Sequence, residues 1–384
     1  MLKYVLILGF AFQIILNMSR PALSLYASFL GATPFSVGVL TACYAVLPLF
    51  LAIRAGKIAD AIGDRLPVFF GMSSLGMAML LPWLFPYLWS LFASQLLTGL
   101  ASVFIAVSLQ NVLGKHAPEG RRDEYYSHFS TVNSLAAVAG PITAGYLLEH
   151  TTYSFVFAAA SIVAASTFLF SLQLPGTRNR TASSNIKLSE SLGLLKSKPL
   201  RKALIGNALA LYSRDIFTAY FPLYAVSHGI SASVIGWILS IQGIAMVVVR
   251  FVLPRLIRMY NHQLVLIGSV VAAGIAFVGV AISEHYLWMG FWSVVMGFGL
   301  GCGQPISMTV AYNSSPKSRT GEVLGLRLAA NRLSQLAAPL FFGFIGASLG
   351  LLSVFYVSGA FLLGGSWLIR QEKEPADEGT PLSG

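Results

Sequence analysis

The sequence predicts an all-α integral membrane protein whose twelve transmembrane helices form two six-helix repeats. Three observations predict this fold class. Of the 384 residues, 56% are hydrophobic and only 10% are charged, whereas a soluble domain carries about 25% charged residues. The two halves of the chain match at one constant offset. Lys and Arg are confined to every other connection between the apolar segments.

The apolar segments are long enough to cross a bilayer, which takes about 20 apolar residues in a helix. The hydropathy of the chain places the spans at 4–27, 35–54, 66–85, 88–113, 126–149, 152–174, 201–227, 233–253, 263–282, 286–312, 322–347 and 350–369. The first apolar run continues to about Ala27 without a small-residue cleavage pattern. We therefore interpret it as a retained helix and not as a signal peptide.

The connections differ in charge between the two sides of the membrane. One side holds Glu149, His150, His228, Glu284 and His285, and it lacks Lys and Arg. The other side holds Lys57, Arg65, Lys115, Arg121, Arg122, Arg178, Arg180, Lys187, Lys196, Lys198, Arg255, Arg258, Lys317 and Arg319. Because basic connections stay in the cytoplasm, we expect both termini there, in a multi-pass protein of the cell membrane. This asymmetry explains the net charge of +11, so the charge does not indicate nucleic acid binding.

A duplication relates the halves at an offset of 198 residues without gaps. The matched pairs include Tyr26 with Tyr224, Gly31 with Gly229, Gly38 with Gly236, Gly99 with Gly297, Pro141 with Pro339 and Gly145 with Gly343. A polar stretch lies at mid-chain. We therefore predict an N-terminal bundle at 1–174, a cytoplasmic linker at 175–200, a C-terminal bundle at 201–370 and a cytoplasmic tail at 371–384. Two such repeats are typical of transporters that bind a solute near the midplane, between the halves.

The connection after the second span carries a motif. Residues 56–65 read GKIADAIGDR and resemble the signature loop of the major facilitator superfamily, G-x-x-x-D-R-x-G-R-[RK]. With the six-plus-six layout, the resemblance covers essentially the whole chain. It implies a cytoplasmic turn and gating roles for four residues, Gly56, Asp60, Gly63 and Arg65. Ala61 and Asp64 replace Arg residues of the family pattern, and an ordinary polar turn is the alternative interpretation.

The fifth span contains Gly140, Pro141 and Gly145, which resemble the antiporter motif of the superfamily's exporters, G-x-x-x-G-P-x-x-G-G. Proline bends a membrane helix and glycine permits close helix contact, so the motif implies a gate and favours export over import. A packing kink is the alternative. In the fourth span, Gln95 stands where such exporters often carry an Arg tied to proton transfer, which weakens the assignment of proton coupling by resemblance.

Polar residues inside the spans are functional candidates, because an ionisable side chain at a helix centre costs about 2.5–3.5 kcal/mol. The predicted solute and proton pathway consists of Gln13, Asn17, Arg20, Gln95, Arg214, Asp215, Gln304, Asn331 and Arg332. Asp215 is the only acid deep in a span, so it is the candidate proton carrier. A structural ion pair with one of these Arg residues is the alternative. The excess of Arg favours an anionic or zwitterionic solute, because guanidinium groups match carboxylate and phosphate.

The sequence contains no catalytic constellation, metal-ligand spacing or nucleotide motif, and Cys43 and Cys302 lie in spans as small hydrophobic residues. We therefore expect a protein of the lipid bilayer that is not an enzyme, needs no cofactor and acts as a monomer. The leading hypothesis is efflux of a small solute by alternating access, coupled to protons. An organic-anion or sugar-type symporter, a lipid translocase and a non-transporting sensor are the alternatives.

Overall fold

The computed structural model describes residues 1–116, 121–176, 198–313 and 320–370, and these residues form helices without strands. The helices are α1 Leu2–Phe29, α2 Pro34–Ile62, α3 Arg65–Leu84, α4 Leu88–His116, α5 Arg122–His150, α6 Tyr153–Thr167, α7 Lys198–Ser227, α8 Ala232–Ala281, α9 Tyr286–Asn313, α10 Thr320–Leu349 and α11 Leu351–Arg370. A 3-10 helix, Phe168–Gln173, continues α6. Most of the predicted linker and all of the tail lie outside the described residues, so the domain boundaries stay predictions.

Helix α8 is two rods and not one. A straight helix of its 50 residues would be about 75 Å long, whereas a hydrocarbon core is about 30 Å thick. The break falls at Asn261, whose φ of 65° is left-handed. The Asn261 side chain accepts a hydrogen bond from the backbone N–H of Leu264 at 3.0 Å, so it caps the second rod. The rods, 232–260 and 262–281, are called the first and second arms of α8.

The repeat explains where this break falls. Asn261 stands 198 positions after Gly63, which has a φ of 88° and forms the turn between α2 and α3. Glycine adopts a left-handed backbone freely, and asparagine tolerates it better than most residues. The expectation of a turn at residues 56–65 was therefore wrong for 56–62, which are helical. Continuing the helix satisfies backbone hydrogen bonds that a longer turn would leave open.

Nine of the described helices are long and apolar enough to cross a membrane. Helix α8 counts once among them, and α7 and α10 are not included. Helix α7 carries Arg214 and Asp215 in addition to Arg201 and Lys202 at its start, which lowers its hydropathy. The all-helical architecture is confirmed, whereas the count of twelve spans stays a prediction.

Packing within each half repeats in the other half. Where α4 crosses α2, Gly99 lies against the backbone carbonyl of Tyr44. Where α9 crosses the first arm of α8, Gly297 lies against the carbonyl of Gln242, and both of these residues are 198 positions further on. A Cβ at either glycine would collide with that carbonyl, so both crossings depend on a small residue for close approach.

The two halves meet through another symmetric pair of crossings. Gly38 on α2 packs against α10, and Gly236 on α8 packs against α5. The backbone groups that these glycines contact belong to Pro339, Gly343, Pro141 and Gly145. Both crossings lie toward one face, formed by connections 30–33, 151–152 and 228–231, which we call the distal face. The proximal face holds the ends of α1 at Leu2 and of α11 at Arg370.

Candidate functional site

A small cavity lies at the centre of the molecule, between the two halves. Its volume is about 30 Å³, similar to the share of one water molecule in the liquid. Helices α1, α2, α4, α7 and α10 supply the wall, which consists of Arg20, Leu23, Ser24, Thr41, Tyr44, Gln95, Asp215, Thr218, Ala219 and Gln335. The halves would therefore have to separate before this cavity admits an organic solute.

One ion pair joins the halves inside the cavity. Arg20 Nη1 lies 3.4 Å from Asp215 Oδ1, and the side chains are 27% and 11% exposed. The Arg20 guanidinium also covers the ring of Tyr44, 5.1 Å from its centroid, where a cation is attracted to an aromatic face. The ion pair that the sequence offered as the alternative role of Asp215 is thus present. Proton carriage by Asp215 stays a prediction.

A second guanidinium gives the site an excess of positive charge. Arg214 precedes Asp215 on α7 and lies close enough to Arg20 and Asp215 to interact electrostatically with both. No residue that the structure describes accepts a hydrogen bond from the Arg214 guanidinium or forms an ion pair with it. The site therefore has two positive charges and one negative charge, because Asp215 is the one carboxylate in the wall that the structure describes.

The predicted pathway residues divide into two groups. Arg20, Gln95 and Asp215 line the cavity, and Arg214 lies within electrostatic range of Arg20 and Asp215. The residues outside the wall are Gln13, Asn17, Gln304, Asn331 and Arg332. The selection did not include Thr41, although its spacing of three from the aromatic candidate Tyr44 places both residues on one face of α2.

Three of the outer residues, Gln13 and Asn17 on α1 and Arg332 on α10, lie on helices that contribute to the cavity wall. The Asn17 Nδ2 on α1 donates to the backbone carbonyl of Gln13 at 2.7 Å. Arg332 Nη1 on α10 donates to Oε1 of Gln335 at 2.9 Å, and Gln335 belongs to the wall. Arg332 therefore orients a wall residue in this conformation and does not itself line the cavity.

The remaining pair lies in the second half, away from the cavity wall. Asn331 on α10 accepts a hydrogen bond from Asn207 Nδ2 of α7 at 2.5 Å. Gln304 is exposed, and its backbone carbonyl accepts a hydrogen bond from Arg327 at 3.5 Å. Their roles in transport stay predictions.

The exporter-like motif lies where α5 crosses its neighbours. A Cβ at Gly140 would meet Asn17 of α1, and a Cβ at Gly145 would meet the Ala232 carbonyl of α8. The carbonyl of Pro141 belongs to the same contact between the halves. Pro141 and Gly145 therefore lie in an interface that must open if the halves move apart, whereas Gly140 packs within the first half. This arrangement suits both a gating role and close packing.

Of the loop motif, the structure describes the end but not the first side chains. Gly56 and Asp60 belong to α2, and the Asp60 side chain lies outside the described part of the structure. Gly63 makes the turn, and Arg65 is exposed at the start of α3. The gating role of Asp60 therefore stays a prediction.

Asp64 is a buried residue that sequence reasoning treated only as a departure from the family pattern. Its side chain is 0% exposed, and its Oδ2 lies 2.9 Å from Lys115 Nζ. Its Oδ1 accepts a hydrogen bond from Asn111 Nδ2 at 3.3 Å. Asn111 and Lys115 are four residues apart on one face of α4. This spacing is the feature of the sequence that could have indicated a shared acidic partner. The turn between α2 and α3 is thus fixed to the end of α4.

The distal side is closed by contacts between the halves. Three hydrogen bonds cross there: Tyr220 Oη to the Pro34 carbonyl at 3.1 Å, Ser240 Oγ to the Val138 carbonyl at 2.7 Å, and Ser233 N–H to Glu149 Oε2 at 2.9 Å. Glu149 thereby satisfies a backbone donor in the first turn of α8, where a negative charge is favourable. The cavity is therefore shut off from the distal face.

The chain is similar to known proteins in sequence and in fold. The family model described as Major Facilitator Superfamily matches residues 5–228 and again 203–383. MFS-type transporter MJ1560 of Methanocaldococcus jannaschii is 22% identical, over 89% of this chain and 90% of that protein. Multidrug resistance protein MdtG of Escherichia fergusonii is 22% identical, over 96% and 93%. A crystal structure of a POT family transporter with a thioalcohol-conjugated peptide shares the fold, with a TM-score of 0.81 at 15% identity over 96% and 95% of the two chains.

Proposed function

The chain belongs to the major facilitator superfamily and is a membrane transporter, and on that premise we propose that it exports a small organic anion or zwitterion in exchange for protons. The observation that carries the proposal is the cavity between the halves, where Arg20 and Asp215 form an ion pair in the wall and Arg214 lies within electrostatic range of both. A site with two guanidiniums favours a solute that bears a carboxylate or phosphate. The similarity to a multidrug resistance protein and the motif at Gly140 support export as the direction.

The proposed movement is alternating access, in which one half rocks against the other about the cavity. The crossings at Gly38 and Gly236 close the distal side through glycine and backbone groups. Opening this side separates α2 from α10 and α5 from α8. The Arg20–Asp215 pair lies between the moving halves, so its state is coupled to their positions.

The proposed orientation has the proximal face, with both termini, in the cytoplasm of the cell membrane. The support is the absence of Lys and Arg from the connections of the distal face. In this orientation the conformation described above is closed toward the outside. The cavity lies between the two halves of the same chain, so the proposed working unit is a monomer.

Asp215 is the proposed carrier of the exchanged proton. It is the only carboxylate in the cavity wall that the described residues provide. Protonation removes the negative charge that holds Arg20, and this loosens the one ion pair between α1 and α7. Solute binding and proton binding therefore act on the same pair.

The test is solute-driven proton flux in proteoliposomes under an imposed pH gradient. The solutes are low-molecular-weight cell extracts, separated by charge. We expect the wild type and the control Glu284→Gln, which changes an exposed acid of the distal face, to move protons against the solute. Asp215→Asn should insert normally and lose proton movement. Stoichiometric proton movement by Asp215→Asn would assign the carrier to another group.

A second candidate function, cotransport of an organic anion with a proton, is favoured by one observation. An anion that takes Arg20 leaves Asp215 without its partner at 3.4 Å. Asp215 would then bind a proton, and both would travel in the same direction. The replacement of the exporters' Arg by Gln95 also suits this alternative. The sign of the proton movement in the flux assay separates the two.

A further inference from the structure

We infer that the solute is a compact zwitterion, whose amine takes the place of the proton on Asp215 while its carboxylate binds Arg20 and Arg214. This inference rests on the proposed exchange of solute for protons. The two charges of such a solute make exchange for a proton possible at this site.

The cavity presents opposite charges within a short distance. Arg20 Nη1 and Asp215 Oδ1 are 3.4 Å apart, longer than the roughly 2.7–2.9 Å of a charge-assisted hydrogen bond. Arg214 adds a guanidinium that no described residue satisfies. An amine and a carboxylate on the same or adjacent carbon atoms present their charges at a similar separation. One amino-acid-type group therefore reaches both partners at once.

A solute with only a negative charge gives the wrong coupling. Its carboxylate draws Arg20 away from Asp215, and a carboxylate that loses its cation in a desolvated site is stabilised by a proton. Anion and proton then bind together, which is cotransport. Exchange requires the opposite, that solute and proton exclude each other.

A solute with only a positive charge gives the right coupling but leaves the guanidiniums without a partner. Its amine competes with the proton for Asp215 and displaces Arg20, which then faces Arg214 with no negative charge between them. A zwitterion avoids both problems. Its amine excludes the proton from Asp215, and its carboxylate supplies the negative charge that Arg20 and Arg214 need.

Asp215 is the one carboxylate in the cavity wall that the structure describes. Arg20 comes from α1, Tyr44 of α2 covers Arg20, and Arg250 of α8 lies within electrostatic range of Arg214. The other polar wall residues that the structure describes carry no charge, namely Ser24, Thr41, Gln95, Thr218 and Gln335. Comparison with Asp215→Asn therefore shows whether a proton released on binding comes from Asp215.

The experiment is calorimetric binding to the purified full-length protein between about pH 5 and pH 8. The probes are leucine and phenylalanine, each with its deaminated and its decarboxylated analogue, and alanyl-alanine as a longer zwitterion. Buffers of different ionisation enthalpy report how many protons are released or taken up. Asp215→Asn is compared with the wild type and with Glu284→Gln.

The expected result is that one amino acid binds at least about tenfold more tightly than either of its analogues and than alanyl-alanine, a difference of about 1.4 kcal/mol. Its binding should weaken as the pH falls, with a proton released wherever Asp215 carries one before the solute binds. Asp215→Asn should abolish both the proton release and the preference over the deaminated analogue, whereas Glu284→Gln should change neither.

Two results would overturn the inference. One is deaminated analogues that bind as tightly as the amino acids and take up a proton. The other is binding by none of the zwitterions while amine-free fractions of the cell extract drive proton exchange in proteoliposomes. In the second case the proposed function stands and only the solute class is wrong. If no fraction moves protons in that assay, the proposed exchange itself fails.

Discussion

At the scale of single residues, Arg20 makes the contacts on which the proposed function depends. It forms the ion pair with Asp215, lies over Tyr44 and belongs to the cavity wall. The sequence could identify Arg20 and Asp215 as candidates, because a charge inside a span is costly. It could not show that they pair, since 195 residues separate them and only the packing of α1 against α7 brings them together.

Replacing Arg20 tests whether it binds the solute. Arg20→Gln should weaken solute binding by at least about tenfold, because loss of a buried charged partner costs roughly 2–5 kcal/mol. Arg20→Lys should restore part of the affinity, since Lys lacks the planar fork of guanidinium. The measurement is solute affinity across matched anionic, zwitterionic and cationic compounds, with Arg255→Gln, an exposed proximal residue, as the control. Preferential binding of lipophilic cations that is unchanged in Arg20→Gln would refute the anion-binding role.

A second residue-scale prediction concerns Asp64, which anchors the turn between α2 and α3 to α4. Asp64→Asn should lower stability by a few kcal/mol, because removing one member of a buried ion pair is strongly destabilising. Thermal unfolding in detergent measures this for Asp64→Asn, Lys115→Gln and the double variant. The coupling between the two substitutions should be about 0.5–3 kcal/mol. Strict additivity would mean that the 2.9 Å contact contributes nothing specific.

At the scale of helices, glycines decide where the elements cross and where they end. The spans expected from hydropathy correspond to the helices, but α2 and the first arm of α8 run several residues past the expected ends at 54 and 253. Hydropathy marks the bilayer and not the end of hydrogen bonding, so helix beyond the membrane is invisible to it. The breaks at Gly63 and Asn261 come from their left-handed backbone conformation. The offset of 198 residues shows that the two positions are equivalent, but it does not show that the helix breaks there.

The crossing at Gly38 gives an element-scale prediction. A Cβ there would collide with the Pro339 carbonyl, so Gly38→Ala should keep the distal side from closing and lower transport by about tenfold or more, a change of about 1.4 kcal/mol. The control is Gly364→Ala, where an added Cβ meets nothing within 4 Å. Distal access is measured with Thr218→Cys in a background without Cys43 and Cys302. The quantity is the rate at which an impermeant thiol reagent, added on the distal side, labels this cysteine.

The labelling rate should rise in Gly38→Ala and stay at the background level in Gly364→Ala. Equal labelling and normal transport in both variants would show that the α2–α10 crossing does not set distal access.

At the scale of the whole molecule, the two halves form a pseudo-symmetric pair around one polar cavity. The duplication was readable from the sequence because glycine, proline and tyrosine matches are rare by chance in an apolar chain. The closed distal side was not readable, because it depends on which of two rigid arrangements of the halves is adopted. The same sequence must support both if the protein alternates.

The orientation in the membrane is a prediction at this scale. A reporter that is active only in the cytoplasm, fused after Gly384, should be active, because the proximal connections carry the Lys and Arg residues. The same reporter inserted in the connection 228–231 should be inactive. The reverse pattern would invert the topology and, with it, the side on which the cavity is closed.

The exchange of solute for protons is tested most directly by the solute gradient at which net flux stops. In proteoliposomes with the membrane potential held at zero, this gradient is measured at several imposed pH gradients. One-for-one exchange of a zwitterion for a proton predicts that the balancing solute ratio changes about tenfold per pH unit, with solute accumulating on the more acidic side. A balancing solute ratio that does not change with the pH gradient, or that changes in the opposite direction, would contradict the exchange of solute for protons.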